Sequence, residues 1–177
     1  MSKLKYVVPI IMLSILTSIP LNADCEENDS DLFREHNNVV EVINYNENSI
    51  SISDKDVYLI AQVVCSESKS EPYKGKVAVA SVILNRLKNP DFPKTVEGVI
   101  KQKHAFSCVR NGSINSVPDE DSYRAVMDAL RGNDPTSRAV FFYNPKIATS
   151  KWMMDVDKKD VLKIGQHVFF NVGKAKK

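Results

Sequence analysis

The stretch Asp54–Asn89 constrains this chain most. Val57, Ile60, Ala61 and Val64 recur at i, i+3, i+4 and i+7, which places them on one face of an α-helix. Asp54 stands just before them as the expected N-cap. Pro72 stops a simple continuation, because the residue before a proline is pushed out of helical space. The same proline suits the start of a second helix, where a missing N–H costs nothing. That second helix carries Val77, Ala78, Val79, Ala80, Val82, Ile83, Leu84 and Leu87, so it is apolar nearly all round. Such a helix belongs at the buried centre of a domain.

Two carboxylates, Glu67 and Glu71, lie at the junction. Glu67 follows Val64 by three residues and Ile60 by seven, so it continues the apolar stripe of the first helix. A carboxyl placed there loses hydration, which favours the neutral acid. A proton held near neutral pH is what a general acid needs. The plainer reading, a helix-end charge facing water, stays open on pattern alone. Glu71 precedes the second helix, where the helix dipole welcomes a negative charge.

At 177 residues the chain has room for one domain and an export segment. Residues 1–23 read as a secretory signal: Lys3 and Lys5 are basic, Tyr6–Ile19 is mostly apolar, and Ala23 offers a cleavage point. The expected address is therefore secreted. Cys25 raises a lipid-anchored alternative, which Asp24 fits poorly. Residues 24–53 read as an acidic linker, and the run Val39–Ile43 allows a short strand within it. The folded domain is expected over 54–177.

Charge divides along the same line. Residues 24–54 hold nine acids and one base, whereas 55–177 hold 21 bases and 13 acids, a net +8. A basic domain suits an anionic polymer. Peptidoglycan, with its peptide carboxylates, and nucleic acid both qualify, and lysines kept for solubility explain the charge equally well. Cys25, Cys65 and Cys108 form no Cys-x-x-Cys pair, and His36, His104 and His167 are scattered, so no zinc site is expected. An exported chain permits a Cys65–Cys108 bridge.

Further on, Thr95 is expected to cap a short helix through Val96, Val99 and Ile100, and Lys101–Asn115 reads as loop. Pro118–Asp121 opens another helix, with Tyr123, Val126, Met127 and Leu130 on its apolar face and Gly132 at its end. Ala139–Tyr143 and Leu162–Phe170 are two β-rich runs, expected to pair as a small antiparallel sheet. His167 lies in the second and reads as a hydrogen-bonded core residue. Trp152, the only tryptophan, falls between them. It is either a core anchor or an aromatic shelf for a sugar ring.

The run Glu67-Ser68-Lys69-Ser70-Glu71-Pro72, with Gly75, Ala78-Val79-Ala80 and Asn85-Arg86, resembles the signature of spore-cortex-lytic and cell-wall hydrolases of the SleB/CwlJ type. The resemblance continues through Phe92-Pro93, Gly98-Val99-Ile100, Ala105-Phe106 and Asp134-Pro135-Thr136. It ends with Tyr143-Asn144-Pro145, Ala148-Thr149-Ser150-Lys151-Trp152, and Ile164-Gly165 with His167 and Phe169. Ser68, Lys69 and Ser70 depart from the family's Ala, Arg and Gly, and Cys65 stands where the spore enzymes carry His.

The resemblance implies an α+β fold, mainly helical and like lysozyme and the lytic transglycosylases, with a small antiparallel β-sheet. It implies a monomer that acts on peptidoglycan rather than nucleic acid, with no metal or cofactor. Glu67 becomes the single acid/base, with Glu71 in reserve. Glu71, Phe106, Tyr143, Asn144, Ser150, Trp152 and His167 become candidate substrate contacts. The expected chemistry is cleavage of the MurNAc–GlcNAc bond, with 1,6-anhydro ends as in lytic transglycosylases or with reducing ends as in a muramidase. An N-acetylmuramoyl-L-alanine amidase and an inactive wall-binding module are the rivals.

If the basic domain meets an anionic wall, binding to purified sacculi should weaken as salt screens exposed charge. A bound fraction that stays flat across a salt series in a sedimentation assay would refute this.

Overall fold

The computed structural model describes residues 39–45 and 48–173. The expected signal, Cys25 and the first part of the acidic leader lie outside the described residues. Two strands, β1 (Val39–Tyr45) and β2 (Asn48–Ser53), form an antiparallel pair. The possible strand at Val39–Ile43 is thus present, and it has a partner.

β2 runs straight into helix α1 (Asp54–Glu67). Ser53, not Asp54, is the N-cap: its hydroxyl accepts from Asp56 N–H, and Asp56 accepts from Ser53 N–H, a complete capping box. Asp54 instead places its charge in the first turn, where the helix dipole favours it. Ile52, one residue before the cap, is wholly buried in the main core. The packed unit therefore extends upstream of Asp54, and the linker expected over 24–53 is corrected at its end.

Helix α2 (Tyr73–Lys88) begins at Pro72 and is buried along most of its length. It packs on α1, on α3 (Val96–Ile100) and on α4 (Glu120–Leu130). Thr95 caps α3 through Gly98 N–H, as its position predicts. Asp119 caps α4 and also takes an ion pair from Lys76 of α2 at 3.0 Å. The Ser122 hydrogen bond, with Lys76 beside it, holds the Asp119 carboxyl down at about 2. Gly132 follows α4 in the left-handed region at φ 95°, the conformation that ends helices at glycine.

Beyond α4 comes a three-stranded antiparallel sheet in the order β3 (Phe141–Tyr143), β5 (His167–Val172), β4 (Lys158–Ile164). The run Leu162–Phe170 is thus not one strand. Gly165 and Gln166 make a two-residue turn inside it, with Ile164 paired to His167. A five-residue helix, α5 (Lys151–Asp155), lies between β3 and β4. Phe142 stacks on Phe169, and Phe141 on Phe170, at 5.6 and 5.5 Å between ring centres. Alternation along the strands sends these two pairs to opposite faces. The result is the mixed α+β fold expected, with several helices, a two-stranded pair and a small three-stranded antiparallel sheet.

Ile52→Ala should lower the unfolding free energy by about 2–5 kcal/mol. Ser53→Ala should cost about 1 kcal/mol. Urea midpoints unchanged in both variants would place β2 outside the cooperative core.

Candidate active site

Glu67 is the last residue of α1 and is half-buried. Its Oε1 accepts two hydrogen bonds from one turn, from Ser107 Oγ at 3.0 Å and Cys108 N–H at 2.9 Å. Neither of these donors engages Oε2. One oxygen is thus fixed and the other is available to a ligand. The turn belongs to the segment expected as loop, and Phe106 precedes it as a core aromatic, 5% exposed. Phe106 therefore acts behind the site rather than as an open face for a sugar.

Glu71 sits in the connection between α1 and α2, and only 3% of its side chain is exposed. Its Oε2 accepts Gln166 N–H at 2.9 Å, 95 residues along the chain. The carboxylate thus spans from the helix junction to the turn of the β4–β5 hairpin. Gly165 makes room for it: φ there is +59°, and a Cβ would fall 1.8 Å from Glu71 Oε2. Gly75 allows the approach from the other side, where a Cβ would meet Glu71 Cβ at 2.9 Å.

His167 lies beside this carboxylate, with Nδ1 3.7 Å from Glu71 Oε1. That nitrogen is buried and makes no hydrogen bond, so the expected satisfied core histidine is only half realised. Phe142 meets the ring edge-on at 5.2 Å. Burial holds the imidazole below its ordinary range, while the charges of Glu71 and Glu67 pull it the other way. Both carboxylates and the histidine therefore share one electrostatic neighbourhood.

Other candidates lie apart from it. Trp152 is 51% exposed, so it is no core anchor, and it packs edge-on against Phe141 at 5.4 Å. Tyr143 meets Phe170. Both belong to the sheet face opposite Phe142 and His167. Asn144 accepts Lys146 N–H through Oδ1, and Ser150 caps α5 by accepting Met153 N–H. These two side chains serve the local backbone.

Cys65 and Cys108 are free thiols, so the permitted bridge does not form. Cys65 donates to Val117 carbonyl, while Cys108 is turned to Glu67 by its own N–H. Burial, reinforced by the Glu67 charge, pushes the Cys108 thiol up to about 12. The departures at 68–70 are mild. Ser68 is buried, with its hydroxyl on Val64 carbonyl, while Lys69 and Ser70 are exposed. Among the described residues no group of three or more His, Cys, Asp and Glu side chains converges as metal ligands. A cleft of about 500 Å³ along the far half of α2, lined by Asn85, Lys88 and Arg138, includes none of the site candidates.

Burial favours neutral His167 in the folded state. Unfolding releases it to an ordinary value of about 6.5, so the unfolded chain binds the proton more readily. Its contribution to stability is then complete above about pH 6.5 and is lost as pH falls below that value. Unfolding free energy measured from pH 7.5 to 5 should decline less steeply in His167→Gln than in the wild type; parallel curves would contradict the burial argument.

The chain belongs to the cell wall hydrolase family, whose sequence profile matches residues 70–170. That match begins three residues after Glu67. The chain is 49% identical over 119 residues to a spore cortex-lytic enzyme of Halalkalibacterium halodurans, covering 67% of this chain and 36% of that enzyme. It is 47% identical over 117 residues to a spore cortex-lytic enzyme of Bacillus cereus, covering 66% of this chain and 44% of the relative. This chain thus spans less than half the length of those relatives. Among solved structures it is similar to the catalytic domain of the Bacillus cereus SleB protein, at 46% identity and a TM-score of 0.61. That match covers 68% of this chain and 92% of the other. The catalytic domain of the germination-specific lytic transglycosylase SleB from Bacillus anthracis matches at 45% identity and a TM-score of 0.62, over 67% of this chain and 96% of the other.

Proposed function

We propose that this cell wall hydrolase cleaves the glycan strand of peptidoglycan, in spore cortex or cell wall, with Glu67 as its acid/base. The observation that carries the reading is the seat of Glu67: Oε1 is fixed by Ser107 Oγ and Cys108 N–H, and neither of these donors engages Oε2. A fixed carboxyl with one open oxygen can give a proton to a glycosidic oxygen and take one back.

Glycosidases that use water commonly need a second carboxylate on the opposite side of the bond. Glu71 is ill suited to that task. Its side chain is 3% exposed and committed to Gln166 N–H. This favours a scheme in which the substrate supplies its own nucleophile. Glu67 protonates the oxygen leaving C1 of N-acetylmuramic acid. The 6-hydroxyl of the same sugar then attacks C1 and gives its proton to Glu67. The bond from C1 to the leaving oxygen breaks, a 1,6-anhydro ring forms, and Glu67 regains its proton. The relatives' names support the substrate class, and the name of the Bacillus anthracis domain supports the lytic course. Trp152 offers an exposed ring to a glycan passing beyond the immediate contacts of Glu67.

Glu67→Gln keeps size and removes the transferable proton. Turnover of sacculi should fall by on the order of 10²–10⁴, with little change in sacculus binding. Mass spectrometry of wild-type products should show muramic ends one water lighter than reducing ends. Reducing ends alone would replace the lytic course with a muramidase. Free L-alanine amino termini on uncut glycan would replace it with an amidase.

A further inference from the structure

Arg86 is 5% exposed, yet among the described residues it has no carboxylate partner. Its Nε donates to Val140 carbonyl at 2.8 Å, just before β3. Its guanidinium carbon lies 5.0 Å from the ring centre of Phe106, 5.3 Å from Phe92 and 5.9 Å from Phe141. Burial alone pulls the guanidinium down to about 10, which leaves it charged at neutral pH. An unpaired buried cation is a costly way to fill a core, because an apolar side chain of similar volume avoids the desolvation. What Arg86 has that an apolar side chain lacks is a planar fork. One edge of it is tied to the backbone, and three rings lie around it.

The rings come from three separate segments, and one of them adjoins the seat of Glu67. Phe106 stands immediately before Ser107 and Cys108, the two donors on Glu67. Phe106 also lies 6.3 Å from Phe142, which meets His167 edge-on. Phe141 belongs to β3. Arg86 itself rides on α2, whose first turn follows Glu71. One side chain therefore touches the turn that holds Glu67 and the strand that borders His167.

We infer that Arg86 is a positioning residue for Glu67: it fixes Phe106 against β3, and so sets the Ser107–Cys108 turn that holds Oε1. This rests on the reading of Glu67 as the acid/base of a glycan-cleaving enzyme. Arg86 touches no reacting atom in that scheme. Its effect is on the angle at which Glu67 meets the glycosidic oxygen, and errors of about 1 Å in such placement can cost on the order of 10²-fold in rate.

The test uses the full chain with Arg86→Met and Arg86→Lys, each alone and combined with Ser107→Ala. Glycan release from sacculi, sacculus binding and thermal melting are measured for each. Arg86→Met should melt at or near the wild-type temperature, because a buried unpaired charge is exchanged for an apolar chain. Its kcat should nonetheless fall about 10- to 100-fold, with binding and KM within about twofold. Arg86→Lys keeps the charge without the planar fork and should also turn over slowly. In the Ser107→Ala background the further loss from either Arg86 substitution should shrink to a few-fold, since both act on one contact. A purely structural Arg86 would lower the melting temperature and give fully additive losses. Wild-type kcat in Arg86→Met, or full additivity with Ser107→Ala, overturns the inference. If Arg86→Met fails to fold, the Arg86→Lys cycle decides by the same criterion. A wild-type chain that releases no glycan fragments overturns the proposed function, and this inference with it; cleavage by the wild type with undiminished Arg86 variants overturns this inference alone.

Discussion

The site depends on a buried carboxylate that is not the proposed acid. Glu71 reaches from the α1–α2 junction to Gln166 N–H at the β4–β5 turn. A buried acceptor without its donor would carry the full cost of desolvation, so the bond holds the hairpin in place against the helices. Everything near Glu67 refers back to that junction. α1 ends there, α2 begins there, and His167 enters the site because it follows the turn that Glu71 holds. The two glutamates show how surroundings divide labour between identical groups. One is enclosed and spent on a backbone N–H. The other is gripped by one oxygen and open at the second.

Much of this was legible locally. The apolar periodicity of α1 and α2, the proline between them and the place of Glu67 on the α1 stripe are short-range patterns. Each follows from helix geometry acting over one or two turns. The cap was misplaced by one residue, although Ser53 followed by Asp56 three positions on is itself a capping signal. The β4–β5 hairpin looks like one β-rich run in sequence because Leu162 and Ile164 precede the turn and Val168, Phe169 and Phe170 follow it. The glycine was the available sign of a turn inside that run. Helix α5, at five residues, is too short to show a period in the sequence.

What escaped the sequence is what the chain brings together from afar. Ser107 and Cys108 meet Glu67 across 40 and 41 residues, and Glu71 meets Gln166 across 95. No local pattern encodes those meetings. They follow only once α2 is buried and the sheet is laid against it. The same holds for Arg86, which stands between Asn85 and Leu87 in sequence and whose surroundings are set by rings from three separate segments. The candidates placed by resemblance alone divide accordingly. His167 arrives beside the carboxylates, whereas Asn144 and Ser150 are occupied with their own turns.

The Cys108 thiol carries one consequence for durability. Pushed up to about 12, it holds little thiolate at neutral pH, and the thiolate is the form that oxidants and alkylating agents attack. The charge of Glu67 that raises it also repels an approaching anion. Burial, with the Glu67 charge added to it, keeps this sulfur in its unreactive thiol form, so a cysteine packed against the candidate acid is shielded from slow covalent damage.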